Sequence, residues 1–192
     1  MKHLRTPGIS LISAHRFTPI KIFFEYVPTV EKSKWQTKVL EVVQQAPIDS
    51  AIELYLKLKE LDLLAQRIEK ATDKQLMDLS HYRTEPAAKK LEKRFPLAAA
   101  KLYRALGMRI LESKKSKYYE AAQSHFQKAK KLYEASSSQE LWDQLVKLVR
   151  KEHRLKRGFI QDFELIVNGV APKKNPSFQQ KIQGRLARFT ED

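Results

Sequence analysis

Six basic residues fall within eleven positions of one helix-forming stretch: Lys147, Arg150, Lys151, Arg154, Lys156 and Arg157. Ammonium and guanidinium groups at this density attract phosphates and carboxylates, and neutralising phosphates releases counterions. Lys147, Arg150, Lys151 and Arg154 step by three, one and three, so they share a helix face opposite much of the Leu141, Leu145 and Leu148 face. Lys173, Lys174, Lys181, Arg185 and Arg188 follow in the tail and could extend a phosphate-contacting surface. The plainer reading is a solvated helix face. The stretch has no basic-zipper heptads, no RNA-recognition aromatic signature and no evident recognition helix. Any nucleic-acid contact would therefore be electrostatic and weakly sequence-specific.

Other chemistry finds little support. The histidines are His3, His15, His81, His125 and His153, and no two are spaced i, i+4. There is no cysteine. Disulfides, thiolate zinc and iron–sulfur sites are excluded, and no metal or cofactor site is expected. His125 lies beside an apolar stripe and His153 shares the helical phase of Trp142, Val146 and Val149, so both read as residues bordering a core. Gly107, Gly158, Gly169 and Gly184 are isolated, so no phosphate loop is present, and no G-x-S-x-G occurs. The expectation is a chain that is not an enzyme. A site assembled from distant residues is the least favoured alternative.

The chain has 192 residues and a net charge of +15. Residues 1–96 carry 17 Lys/Arg against 12 Asp/Glu, and residues 97–192 carry 20 against 10, so the second part has twice the positive excess. Such an imbalance favours polyanionic contacts. The most apolar stretch, "GISLISAHRFTPIKIFFEYVP", is interrupted by His15, Arg16, Pro19 and Lys21. A membrane-spanning helix needs about 20 mostly apolar residues. The stretch also lacks the pattern of a signal peptide. No membrane association is expected, and the cytoplasm is the expected location.

The elements that must position these residues are helices. Residues 1–31, with Pro7, Pro19, Pro28 and "IKIFFEYV", read as an extended or partly disordered arm. Residues 32–168 read as a helical-repeat domain and residues 169–192 as a basic tail. Ile52, Tyr55 and Leu58 fall on one helix face, and "KELDLL" reads as a turn. A further pair is expected at "TDKQLMDLSHY" and "TEPAAKKLEKRF", with Thr84 as N-cap and Pro86 in the first turn. "PLAAAKLYRALGMRILES" reads as a helix whose small residues allow close approach. In the next helix Tyr119, Ala122, Phe126, Ala129 and Tyr133 step by three and four and form one stripe. Ser138 is a candidate N-cap for a helix with a broad apolar face around Trp142 and Leu145.

Tyr119-Glu120-Ala121-Ala122 with Phe126-Gln127-Lys128-Ala129 resembles the second helix of a tetratricopeptide repeat. Over roughly residues 48–165, "AIELYLKLKELDLLAQRI", "PLAAAKLYRALGMRILES", "YYEAAQSHFQKAKKLYEA" and "LWDQLVKLVRKEHRLKRGF" are similar in order and cadence to the C-terminal helical region of bacterial SWIM zinc-finger proteins. The zinc motif itself is absent, since the chain has no cysteine. The resemblance implies an all-α fold of antiparallel hairpins stacked as a short tetratricopeptide-like α-solenoid. The expected function is a scaffold for a protein partner, with a basic nucleic-acid-binding module as the alternative.

Overall fold

Prolines, small polar residues and left-handed turns set the helix boundaries. The computed structural model describes residues 40–170. The expected arm at residues 1–31, and all but the first two residues of the expected tail, lie outside them. Every regular element among the described residues is helical, so the fold class is all-α. The chain divides by its internal contacts into two units, residues 1–60 and 61–192.

In the first unit, helical residues 40–45 precede α1, Ile48–Leu58. Ala51, Ile52, Leu54 and Tyr55 are buried. The helix ends at the first residue of the expected "KELDLL" turn, where Lys59 takes a left-handed conformation (φ 61°) and its N–H reaches the carbonyls of the last turn. The turn is shorter than expected, since residues 61–64 are already helical.

The second unit begins with α2, Leu61–Lys70, and α3, Asp73–Met77. A reciprocal cap opens α3. Thr72 Oγ1 accepts from the Gln75 N–H at 3.3 Å, and Gln75 Oε1 accepts from the Thr72 N–H at 2.9 Å. The next helix, α4, runs His81–Leu91. Here the expected cap is corrected: Ser80 holds the N-cap position and Thr84 lies within the helix. Thr84 is buried, and its hydroxyl donates back to the Ser80 carbonyl at 2.8 Å. Pro86 is consequently interior rather than in the first turn. The carbonyl its missing N–H would have met belongs to Tyr82, a residue 79% exposed.

Pro96 opens α5, Pro96–Glu112, at the position where a missing N–H costs nothing. A 3₁₀ turn, Ser116–Tyr118, leads into α6, Tyr119–Ala135. Then come α7, Gln139–His153, and α8, Arg157–Val167. Ser138 does precede α7 as expected, but its hydroxyl donates to the Ser136 carbonyl at 3.1 Å and makes no cap bond to the helix.

The core is centred on α5 and α6. Helix α5 packs against α2, α3, α4 and α6, and α6 in turn meets α7 and α8. Ala98, Ala99, Ala100, Ala105 and Gly107 are buried in α5. The Phe126 ring lies directly on Gly107: a Cβ built there would stand 2.7–2.9 Å from three ring carbons. Glycine inside a helix costs about 1 kcal/mol relative to alanine. Here the approach of α6 requires it. Ala122, Phe126, Ala129 and Tyr133 are fully buried, as the stripe predicts, while Tyr119 is half-buried with its ring edge-on to Phe159. Phe126, Phe159, Phe163 and Trp142 form one aromatic cluster with neighbouring centroids 5.4–6.0 Å apart. Burying each such side chain contributes about 1.5–3 kcal/mol.

Candidate interaction surfaces

Helix α7 divides its residues sharply. Trp142, Leu145, Val146, Val149 and His153 face inward and are buried. Lys147, Lys151 and Arg154 are exposed, as is Arg157 at the start of α8. None of these four side chains has a hydrogen-bonded or ion-paired partner among the described residues.

The other two members of the predicted cluster are occupied within the fold. Arg150 grips Glu164 of α8 with two hydrogen bonds, Nε to Oε1 at 2.8 Å and Nη2 to Oε2 at 2.7 Å. The bond to Arg150 holds the Glu164 carboxyl below its usual range, and the same contact raises the Arg150 guanidinium. Lys156 is half-buried and donates to the Leu111 carbonyl in the last turn of α5. Burial pushes this ammonium down, and nearby Lys114 adds to the push. Its Nζ also lies 2.9 Å from Nδ1 of His153.

Lys156 belongs to a wider pattern. Lys101 donates to the Glu69 carbonyl near the end of α2, and Arg109 donates to the Leu79 carbonyl just beyond α3. Lys130 donates to the Ile166 and Val167 carbonyls that end α8, at 3.1 and 3.0 Å. The last carbonyls of a helix lack intrahelical donors and sit at the negative end of its dipole. A cation from a neighbouring helix meets both needs. Part of the positive charge of this chain therefore joins helices, which charge counting along the sequence does not reveal.

The structure also brings together residues that sequence reasoning did not connect. The turn carrying Lys114, Lys115 and Lys117 lies beside the turn carrying Arg154, Lys156 and Arg157, because Lys156 binds the end of α5. Both turns contribute to a cleft of about 400 Å³ that includes Ser116, Lys117, Arg157 and Gly158. At the cleft floor the buried Gln123 donates to Asp162 at 2.9 Å.

A second recess, about 130 Å³, is lined by Asp73 and Met77 of α3, Arg104 and Met108 of α5, and Leu148 and Glu152 of α7. These three helices alternate along the chain. Arg104 is mostly covered and pairs with Asp73. The Tyr133 hydroxyl is fully buried without a hydrogen-bond partner, and burial pushes it up to about 12 against the pull of nearby Arg104. No local sequence signal marks this recess, since its residues span 73–152.

The two described core-border histidines are where the helical phase puts them. His125 is half-buried, with its ring stacked 5.8 Å from Tyr103. His153 is 8% exposed. Burial is the chief cause lowering both imidazoles. Among the described residues no group of three or more His, Asp or Glu side chains could hold a metal ion. No described helix is long and apolar enough to cross a membrane. The predicted tail cations Lys173, Lys174, Lys181, Arg185 and Arg188 lie outside the described residues.

No curated protein and no solved structure matches the chain. The model of a family of unknown function, DUF6880, matches residues 15–162, most of the chain and nearly all of the helical core described above, and the protein belongs to that family.

Proposed function

We propose that the chain is a non-enzymatic helical-repeat scaffold that holds a protein partner. On this reading α3–α4, α5–α6 and α7–α8 are three antiparallel hairpins stacked as a short tetratricopeptide-like solenoid. The observation that carries it is the recess lined only by α3, α5 and α7. A stack of hairpins presents alternate helices on one face, and such faces serve as extended binding surfaces. Contacts between α3 and α5, and between α6 and α8, also fit a stack in which alternate helices are neighbours. Kinship with the helical region of SWIM zinc-finger proteins, without their metal motif, and a cytoplasmic location belong to the same proposal.

The test is capture by the tagged chain, with and without nuclease. Proteins retained after nuclease, and lost with Leu148→Arg at unchanged melting temperature, support the scaffold. Capture that vanishes with nuclease contradicts it. That second outcome would favour a basic nucleic-acid-binding module, the reading supported by the exposed cations Lys147, Lys151, Arg154 and Arg157, whose side chains have no partner among the described residues.

A further inference from the structure

Two exposed apolar side chains stand where solvated turns would ordinarily carry polar ones. Leu155 is 85% exposed at the tip of the α7–α8 turn, and Tyr118 is 45% exposed at the end of the α5–α6 turn. Each has cations beside it in the chain. Arg154, Lys156 and Arg157 flank Leu155, and Lys114, Lys115 and Lys117 precede Tyr118. The Lys156 bond to the Leu111 carbonyl holds the two turns side by side, and the cleft of about 400 Å³ opens between them. Neither turn contains an acidic residue; the adjoining helices bring Glu120 and Asp162 to the cleft, and Asp162 is engaged by Gln123.

We infer that this end of the molecule docks an acidic protein segment that carries an apolar anchor. The inference rests on the scaffold reading and names the chemistry of the partner. Charge complementarity selects an anionic ligand, since the two turns together present the exposed cations Lys114, Lys115, Lys117, Arg154 and Arg157 against two carboxylates, Glu120 and Asp162, that line the cleft. The apolar tips select among anionic ligands. A phosphodiester backbone offers no apolar surface to cover a leucine, whereas an amphipathic acidic peptide offers carboxylates for the rim and a side chain for Leu155 and Tyr118. Interfaces of this kind place apolar and aromatic anchors inside a polar rim. Lys117 already lies over the Tyr118 ring, 4.8 Å from its centroid, so a carboxylate bound by Lys117 would bring the rest of its peptide against that ring. Gly158 has open space around it, so a ligand backbone can approach the start of α8 closely.

Four fluorescent probes test the inference on the full chain: a short Asp/Glu peptide with interspersed Leu and Phe, the same peptide with Ser for Leu and Phe, a random-sequence single-stranded RNA, and vesicles containing phosphatidylserine. Anisotropy serves for the first three and sedimentation for the vesicles. The acidic apolar peptide should bind tightest. Arg154→Glu with Arg157→Glu should weaken it by about tenfold or more. Leu155→Ser should weaken it several-fold and leave the Ser-substituted peptide unchanged. Both variants alter exposed residues, and circular dichroism melts check that they fold. Equal binding of the two peptides, or tighter binding of RNA or vesicles than of the apolar peptide, overturns the inference. Failure of the peptide with continued nuclease-resistant capture by the wild type overturns the inference alone. Loss of that capture as well overturns the scaffold reading.

Discussion

Helices α5 and α6 and helices α7 and α8 use the same charged residue types in different proportions for different ends. In α5 and α6 Lys101, Arg104, Arg109 and Lys130 all reach groups within the fold: carbonyls near a helix end for Lys101 and Lys130, the Leu79 carbonyl beyond α3 for Arg109, and Asp73 for Arg104. In the α7–α8 pair Arg150 and Lys156 do the same, but among the described residues the side chains of Lys147, Lys151, Arg154 and Arg157 reach no such group. The difference follows from position. Helix α5 packs against α2, α3, α4 and α6, and α6 against α5, α7 and α8, so their long side chains reach the ends of neighbouring helices. On α7 Lys147, Lys151 and Arg154 are exposed, and among the described residues no acceptor meets their side chains. Net charge therefore overstates what is available to a partner, and only the side chains without internal acceptors should count toward binding.

The largest expected effect comes from breaking the packing between α5 and α6. Phe126→Ala should cost about 3–5 kcal/mol, read as a large fall in melting temperature. Unchanged stability with altered binding would mean that Phe126 belongs to a contact surface. Gly107→Ala should also destabilise, by about 1 kcal/mol. The clash with a ring fixed by Phe159 and Phe163 exceeds the gain in helix propensity. A more stable Gly107→Ala protein would show that the ring can move aside.

Acid should loosen the structure in two windows. His125 and His153 take up protons less readily in the fold than in the unfolded chain, because burial disfavours their charged forms. Below about pH 6.5 the unfolded chain binds more protons, so stability falls as pH drops through that value. The carboxyls of Glu85 and Glu164 are lowered by their Lys89 and Arg150 partners, so their contribution is present above about pH 4.5 and lost in stronger acid. Urea midpoints across this range check both. His153→Phe should flatten the upper window if its ring is the group responsible.

Arg150 and Lys147 give the smallest contrast. Arg150→Ala removes a two-point bond to Glu164, but both side chains are partly exposed, so the loss should be about 0.2–1 kcal/mol. Lys147→Ala should be within about 0.5 kcal/mol of neutral. Chemical denaturation of the two variants in parallel checks the order, and a larger effect at Lys147 would place a partner where none is described.

These contrasts also mark how far the sequence could be read. Periodicity was sufficient for the stripe from Ala122 to Tyr133, the inward face of α7 and the break at Lys59, because apolar spacing follows helix geometry directly. The α4 start was misplaced because Thr84 bonds a carbonyl one turn back instead of capping. The T-x-x-Q signature at Thr72 was available and marks the true reciprocal cap. The basic face was legible as a face. The diversion of Arg150 and Lys156 was not, since their acceptors lie 14 and 45 residues away. The recess between α3, α5 and α7 had no local signature at all.

The division of charge between fold and partner is tested most directly by one pair of double variants, Lys130→Gln with Lys156→Gln and Lys147→Gln with Lys151→Gln, compared by thermal unfolding at equal protein concentration. Each pair removes two positive charges. The account predicts that the first pair lowers the melting temperature by several degrees, since charge-assisted bonds to two helix ends are lost at about 1 kcal/mol or more each. The second pair should leave it nearly unchanged. Equal shifts, or a larger shift from the second pair, would contradict the claim that the internal cations hold helices together while the outer ones are free to meet a partner.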